Sequence, residues 1–301
     1  MLATTRRLVA LTATGARALS AVTQLSSYAC FGGQWRRFRF DASTTGTPMT
    51  FSVFVPPVQR APCLFYLSGL TCTDENFVQK AGAARRAAEL GIALVAPDTS
   101  PRLPDDRRLP GEDESYDFGS GAGFYVDASQ YPWSQHYNMY SFITNELPEA
   151  VMVACPEVDV QTRSITGHSM GGHGALTIGL KQPSIWRSVS AFSPICNPTK
   201  VPWGRKAFEG YLGSVEAGLE HDACELVKKG PRPDAILVSQ GADDDFLVGD
   251  VNQLQPEAFR SACDGAGQEL DLRYEAGDHS YFFIQSFIDG HLDFHAARLK
   301  S

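Results

Sequence analysis

The sequence lacks the features that would place the chain in a membrane, in a disulfide scaffold or on nucleic acid. No apolar run approaches the roughly 20 residues that a membrane-spanning helix needs. The 26 basic residues are outnumbered by 34 acidic ones, so the formal net charge of −8 gives no general attraction to nucleic acid or anionic lipid. The seven cysteines are odd in number, scattered and free of any C-x-x-C pair, which indicates reduced intracellular thiols rather than disulfides or a zinc site.

Acidic residues are missing from one part of the chain. Residues 1–40 contain six arginines and no aspartate or glutamate. Residues 1–21 are rich in Ala, Thr and Arg, which is typical of an organelle transit peptide, although a disordered extension or an upstream start codon would explain them equally well. We therefore divide the chain into an N-terminal extension, 1–24, and one catalytic domain, 25–301. The predicted compartment is the cytoplasm, with a mitochondrion or another organelle as the alternative.

The pattern of the remaining chain predicts an α/β fold. Short β-branched runs alternate with longer helical patterns, which indicates βαβ units and a mostly parallel sheet. The predicted strands lie at about 49–55, 63–67, 92–96, 163–166, 187–191, 235–239 and 271–275. The predicted helices lie at about 75–90, 138–154, 170–181, 205–211, 220–229, 256–266 and 280–298. The long stretch between Pro97 and Tyr140, crowded with Pro, Gly, Asp and aromatic residues, is expected to wall an active site.

A serine nucleophile is indicated by Gly167-His-Ser-Met-Gly171. This run fits G-x-S-x-G, in which a sharp turn from a strand to a helix raises the serine Oγ above the sheet. A predicted strand precedes Ser169 and a predicted helix follows it, so the context of the motif is present. The catalytic interpretation is therefore preferred to that of a structural turn.

A serine needs a histidine base, which this fold places after the serine and after an acid. Among the later histidines only His279 lies in a loop between a predicted strand and a predicted helix. His291 and His295 are four apart on the last helix, but they lack a third metal ligand, and we interpret them as a solvated helix face. His168 and His173 are too close to Ser169 to fold back as its base and are interpreted as packing or rim residues.

Three adjacent aspartates compete for the role of the acid. The predicted strand at 235–239 leads into Asp243, Asp244 and Asp245. Like charges this close repel each other, so one carboxylate is expected to point inward to the imidazole and the others to point to water. An acidic, solvated turn is the alternative and can hold for two of the three, but it leaves His279 without a group to orient it.

The tetrahedral intermediate of acyl transfer needs two backbone N–H donors. One is expected from Met170, directly after the serine, and the other from Leu70 in the loop after the predicted strand 63–67. Gly69 lets the backbone approach closely there. Cys72 follows two residues later as a near-site thiol without a chemical role, and the alternative is a buried, inert cysteine.

These residues lie within long runs that resemble the S-formylglutathione hydrolase (esterase D) family of the α/β-hydrolase superfamily, from about Ser26 to Leu299. The matching runs include Cys30-Phe-Gly-Gly, Leu67-Ser-Gly-Leu-Thr-Cys-Thr, Ala96-Pro-Asp-Thr-Ser-Pro-Arg, Gly111-Glu-Asp-Glu-Ser, Gly121-Ala-Gly-Phe-Tyr-Val-Asp-Ala, Gly167-His-Ser-Met-Gly-Gly-His-Gly-Ala-Leu, Pro194-Ile-Cys-Asn-Pro, Gly210-Tyr-Leu-Gly and Asp278-His-Ser-Tyr. The resemblance implies an α/β-hydrolase fold with Ser169 as nucleophile, His279 as base and Asp244 as acid. Asp245 departs from the neutral polar residue expected beside that acid.

The resemblance also implies the reaction, the hydrolysis of the small-molecule substrate S-formylglutathione to glutathione and formate in formaldehyde removal, without metal or organic cofactor. A triad alone does not separate this activity from a general short-chain carboxylesterase or an acyltransferase. A non-catalytic binding protein is a further alternative. Lys200, Arg205 and Lys206 are candidates for contacts to the glutathione carboxylates. The oligomeric state is not readable from the sequence, and a homodimer stays open.

Overall fold

The computed structural model describes residues 21–300, and across them nine strands form one sheet in the order β1-β2-β3-β5-β4-β6-β7-β8-β9. The strands are β1 (Thr23–Cys30), β2 (Gly33–Ala42), β3 (Thr47–Val55), β4 (Ala61–Leu67), β5 (Ala93–Pro97), β6 (Val158–Gly167), β7 (Trp186–Phe192), β8 (Ile236–Gly241) and β9 (Leu270–Glu275). The helices are α1 (Asp74–Lys80), α2 (Ala84–Leu90), α3 (Met139–Ser141), α4 (Leu147–Ala154), α5 (Met170–Lys181), α6 (Pro202–Leu212), α7 (Ala223–Lys229), α8 (Asp245–Val248), α9 (Pro256–Ala266) and α10 (Tyr281–Leu299).

The sheet has an antiparallel side and a parallel side. β1, β2 and β3 pair antiparallel, as do β3 and β5. From β4 onward each neighbouring pair is parallel. The central strands β4 and β5 are almost entirely buried, as expected for parallel strands covered on both faces. The predicted α/β-hydrolase fold is therefore confirmed.

Two apolar clusters lie on opposite faces of this sheet. On one face α1, α2 and α10 pack on the strands through residues such as Phe77, Ala87 and Leu292. On the other face the larger cluster contains residues of α4, α5, α6, α7 and α9, among them Leu176 and Phe208. The burial on both faces explains why the strand sequences are continuous apolar runs rather than alternating ones.

Three of the differences between the predicted elements and the structure have a clear physical reason. The predicted helix at 75–90 is two helices, because the chain turns at Gly82, whose φ of +68° suits glycine. The predicted helix at 138–154 contains a π-helical segment, Phe142–Glu146, between α3 and α4. Strands β1 and β2 were not predicted; β1 is exposed on both faces and therefore has little apolar periodicity.

The predicted boundary between extension and domain lies close to the first strand, since β1 begins at Thr23. The division at residues 24 and 25 stays a prediction, and most of the proposed targeting segment, residues 1–20, lies outside the described residues. Within residues 21–300 no helix is both long and apolar enough to span a bilayer.

Candidate active site

Ser169 lies in a sharp turn between a strand and a helix. β6 ends at Gly167 and α5 begins at Met170, so the serine is the residue that caps the helix. Its backbone has φ +57° and ψ −119°, a region that a residue with a side chain rarely adopts and that is found at functional sites. The serine is nearly buried, at 3% exposure, yet it borders an open cleft.

The two glycines of G-x-S-x-G allow this turn to be tight. A Cβ atom at Gly167 would overlap the carbonyl oxygen of Gly171, and one at Gly171 would overlap that of Leu67. Both contacts are with backbone, which cannot rotate away as a flexible side chain can. The motif therefore requires glycine for a steric reason.

Asp244 is distinguished from its two neighbours by burial. Asp243 and Asp245 are exposed, whereas Asp244 is fully buried. Its Oδ1 accepts a hydrogen bond from the Phe246 backbone N–H at 2.9 Å, and its Oδ2 lies 2.6 Å from Nδ1 of His279. One carboxylate of the three therefore meets the imidazole, in a loop that begins at the carboxyl end of β8.

His279 lies between β9 and α10 and borders the same cleft as Ser169. The Asp244 carboxylate, when ionised, can only accept, so Nδ1 of the imidazole carries the proton and Nε2 presents its lone pair. The ring packs edge-on against Phe246, with centroids 4.8 Å apart. This arrangement holds the imidazole in the tautomer that a base for Ser169 needs.

The cleft measures about 350 Å³. It is lined by Gly69, Leu70, Thr71, Cys72, Asn76, Lys80, Tyr116, His168, Ser169, Trp203, Phe246, His279, Ser280 and Tyr281. The Trp203 indole Nε1 donates to the Tyr116 hydroxyl at 3.0 Å, so these two aromatic residues form a joined wall. The cleft is small and partly apolar, which suits a short acyl group.

The backbone amides predicted to bind the oxyanion lie at this cleft. Leu70 lines it, and Met170 is the first residue of α5. Within the described part of the chain neither amide donates to a protein acceptor, whereas the neighbouring amide of Thr71 donates to the Gly121 carbonyl at 2.9 Å. The amides of Leu70 and Met170 therefore have no protein acceptor among the described residues.

The long segment between β5 and α3, which was expected to wall the active site, supplies Tyr116 to the cleft lining and supports this loop. The Tyr125 hydroxyl donates to the Ser68 carbonyl at 2.8 Å. The Thr99 hydroxyl and the Arg102 guanidinium donate to the Cys72 carbonyl at 2.6 and 3.0 Å. Three side chains of the segment thus hold the strand-to-helix loop that carries Leu70.

The two histidines beside the serine differ in their positions. His168 is buried and lines the cleft, with its ring centroid 4.4 Å from that of His279. Burial lowers the pKa of His168 well below its usual value, and the nearby His279 lowers it further. His173 is fully buried, with Nε2 3.0 Å from the Phe124 carbonyl oxygen. Both are packing residues, and only His168 is also at the site.

The interpretation of His291 and His295 as a solvated helix face is wrong. Both side chains are buried, because the face of α10 that carries them packs on the sheet. His291 contacts the hydroxyls of Ser190 and Ser239 at 2.8 and 3.0 Å. His295 contacts those of Ser188 and Ser190 at 2.7 and 2.8 Å. The serines that satisfy these rings lie on β7 and β8, far from the histidines in sequence, so the sequence around the histidines contained no signal of them.

Cys72 is partly buried and lines the cleft. Burial raises the pKa of its thiol above the usual value, although a contact with Tyr281 opposes the rise. The group is therefore a thiol rather than a thiolate at neutral pH. Across residues 21–300 no group of three or more His, Cys, Asp or Glu side chains could hold a metal ion.

The basic residues predicted to meet glutathione do not line the cleft. Lys206 pairs with Asp117 at 2.6 Å, and Lys200 and Arg205 lie outside the lining. The lysine at the cleft is Lys80, at the end of α1. Lys80 was not among the predicted site residues, although α1 directly follows the predicted oxyanion loop, which places this helix beside the serine.

Comparison with known proteins agrees with the geometry. The Esterase family model matches residues 42–294. The S-formylglutathione hydrolases of Rattus norvegicus and Mus musculus are each 47% identical to this chain; the first alignment covers 92% of this chain and 99% of the relative, the second 93% and 100%.

Solved structures give the same result. An S-formylglutathione hydrolase from Agrobacterium tumefaciens superposes with a TM-score of 0.86 at 44% identity, covering 92% of this chain and 99% of the other. A fluorophosphonate-binding serine hydrolase of Staphylococcus aureus, at 20% identity and a TM-score of 0.68 over 88% and 98% of the two chains, shares the fold. The chain therefore belongs to the S-formylglutathione hydrolase (esterase D) family of esterases.

Proposed function

We propose that this chain hydrolyses S-formylglutathione to glutathione and formate, with Ser169 as nucleophile, His279 as base and Asp244 as the acid that orients it. The observation that supports this choice of substrate is the similarity to S-formylglutathione hydrolases along almost their whole length. The 2.6 Å contact between Asp244 and His279 beside the cleft of Ser169 supports the mechanism.

In the first half of the reaction the serine Oγ attacks the formyl carbon while Nε2 of His279 takes the hydroxyl proton. The carbonyl oxygen becomes an oxyanion, and the amides of Leu70 and Met170 donate to it. When the intermediate collapses, the carbon–sulfur bond breaks and His279 gives its proton to the departing sulfur, so glutathione leaves as the thiol and the imidazole is neutral again. The product is a formyl ester on Ser169.

In the second half a water molecule replaces the thiol. His279 takes one proton from the water as its oxygen attacks the formyl carbon, and the same two amides donate to the second oxyanion. The collapse breaks the bond to Ser169 Oγ, which regains a proton from His279. Formic acid is released and loses its remaining proton to water as formate, and the enzyme returns to its starting state.

The test is a comparison of kcat/KM across a series of acyl donors at fixed pH. We expect S-formylglutathione to exceed S-acetylglutathione and p-nitrophenyl acetate, and butyrate and longer esters to be poor, because a cleft shaped for the smallest acyl group excludes longer ones by steric clash. Some activity on activated oxygen esters should remain, since the triad can cleave any ester that the cleft admits. A preference for long-chain oxygen esters would instead indicate a general carboxylesterase.

For the compartment we propose the cytoplasm, with an organelle as the alternative. The composition of residues 1–21 supports the alternative. Fluorescent fusions of the full chain and of a chain that begins at residue 22 would show whether the segment redirects the protein.

A further inference from the structure

We propose that Lys80 forms a carboxylate-binding subsite at the mouth of the cleft and selects leaving groups that carry a negative charge. The inference rests on the proposed function, because a glutathionyl arm carries two carboxylates. It concerns the arm that leaves, whereas Ser169, His279 and the oxyanion amides act on the acyl group.

The first observation is the charge of the cleft lining. Among the described residues that line it, Lys80 is the only lysine or arginine, and none is an aspartate or glutamate. The chain as a whole carries a formal net charge of −8. A cation in a lining without acids therefore stands out against the overall charge, and such a local field attracts anionic ligands.

The second observation is that Lys80 makes no ion pair. No carboxylate oxygen of residues 21–300 lies within 4.0 Å of its ammonium group, whereas Arg85 and Arg86, on the next helix, both pair with acids. A lysine at the last residue of a helix is favoured by the helix dipole. Because Lys80 is exposed and no carboxylate of the described residues pairs with it, its ammonium group is free to meet an anionic ligand at the cleft.

The third observation is the position of the ammonium group relative to the reacting atoms. Nζ of Lys80 lies 5.8 Å from the centre of the Tyr281 ring. The Tyr281 ring lies 6.3 Å from that of His168, which in turn lies 4.4 Å from that of His279. Lys80 and Ser169 line the same cleft, so a glutathionyl sulfur at Ser169 places the arm that carries the carboxylates in the cleft that Lys80 borders.

Asn76, one turn earlier on α1, adds a second donor on the same wall. Its Oδ1 accepts from the Thr73 backbone N–H at 2.9 Å in the helix cap. The cap therefore fixes the amide and leaves Nδ2 as the polar group for a ligand, which can donate to the carboxylate that Lys80 neutralises.

The experiment measures inhibition of p-nitrophenyl acetate hydrolysis by S-methylglutathione, an unreactive copy of the leaving arm, and by its diethyl ester, which lacks both carboxylate charges. The wild-type protein should bind the free acid more tightly. Lys80→Glu should raise Ki for S-methylglutathione about 10-fold or more and Lys80→Gln about 3-fold, with little change for the diethyl ester. Salt at about 0.5 M should reduce the wild-type difference.

Arg205→Glu is the matched control, because it reverses a charge on an exposed helix near Trp203 but outside the cleft lining. It should change neither Ki. Equal changes for both ligands in Lys80→Glu, no change for either, or the same effect in Arg205→Glu would overturn the proposal. Failure of the proposed function looks different, since it appears as poor wild-type turnover of S-formylglutathione whatever the inhibitors show.

Discussion

At the scale of single residues, Asp243, Asp244 and Asp245 have the same side chain, but only Asp244 is buried and contacts His279. Asp244→Asn should lower kcat by about 10³- to 10⁴-fold, because an amide cannot hold the Nδ1–H tautomer of His279 as a carboxylate does. Asp243→Asn and Asp245→Asn should change kcat by less than about threefold, since exposed charges contribute little. Steady-state kinetics on all three variants, with thermal melts to confirm folding, decide the assignment. Equal mild effects at the three positions would contradict it.

The nucleophile and the base give the companion test. Ser169→Ala and His279→Ala should each remove turnover by several orders of magnitude, because triad members act as a unit. A small fluorophosphonate probe should label the wild-type protein and fail to label Ser169→Ala. More than a few per cent of wild-type kcat in Ser169→Ala would exclude this serine as nucleophile.

The thiol of Cys72 offers a prediction about inhibitors. Because burial raises its pKa, alkylation should be slow at neutral pH and faster as the pH rises. A bulky group there should inhibit by obstructing the loop of Leu70. Cys72→Ser should keep most of its activity and lose sensitivity to the reagent; an inactive Cys72→Ser would show that the thiol has a further role.

At the scale of elements, two helical glycines should respond oppositely to the same substitution. Gly290 is exposed inside α10 and a Cβ there would meet nothing within 4 Å, so Gly290→Ala should raise the free energy of unfolding by about 0.5–1 kcal/mol. Gly171→Ala, at the start of α5, should lower the free energy of unfolding by about 1–3 kcal/mol, because the added Cβ overlaps the Leu67 carbonyl oxygen. Urea unfolding of the two variants measures both, and a gain in stability in Gly171→Ala would refute the steric argument.

At the scale of the whole molecule, buried histidines make stability depend on pH. Burial is the largest cause that lowers the pKa of His173 to about 4 and those of His221 and His291 to about 3. It also lowers the pKa values of His168 and His295 well below the usual value. Each folded pKa is below the unfolded value, so the unfolded chain binds more protons as the pH falls below about 6.5.

Stability should therefore fall between about pH 6.5 and 5, by up to about 1.4 kcal/mol per pH unit for each such histidine. Buried Asp98 and Asp222 have raised pKa values, so the folded chain binds their protons at a higher pH than the unfolded chain does, and this contribution opposes the trend. Urea unfolding across this range measures the slope, and His291→Gln should reduce it. Stability that does not change from pH 7 to 5 would contradict the prediction.

Much of the site could be predicted because its parts are local in sequence. Three short connections form the site: the G-x-S-x-G turn, the loop of His279 and the turn after β8. Each joins one strand to one helix, so the residues that define it are adjacent in sequence. The class of fold also follows from local patterns, since buried parallel strands are apolar runs between helices. Strand β1 was not predicted because it is exposed and therefore lacks an apolar run.

Other features depended on residues that are distant in sequence. The choice among three aspartates needed either a family resemblance or burial, because adjacent residues with the same side chain have no local difference. His291 and His295 look like a polar helix face until Ser188, Ser190 and Ser239 of the sheet meet them. The positive charge at the cleft likewise depends on the packing of α1, which brings Lys80 to the cleft.

The sequence by itself therefore determined the fold class and was enough to predict the nucleophile and the base, because each rests on periodicity or on a turn of a few residues. Only the tertiary structure placed Lys80, rather than Lys200, Arg205 or Lys206, at the cleft. Packing of α1 against the sheet brings Lys80 beside Tyr281, which is separated from it by most of the chain. Contacts of this kind result from the burial of apolar faces, which fixes how helices lie on the sheet. The residues next to Lys80 in sequence therefore do not indicate them.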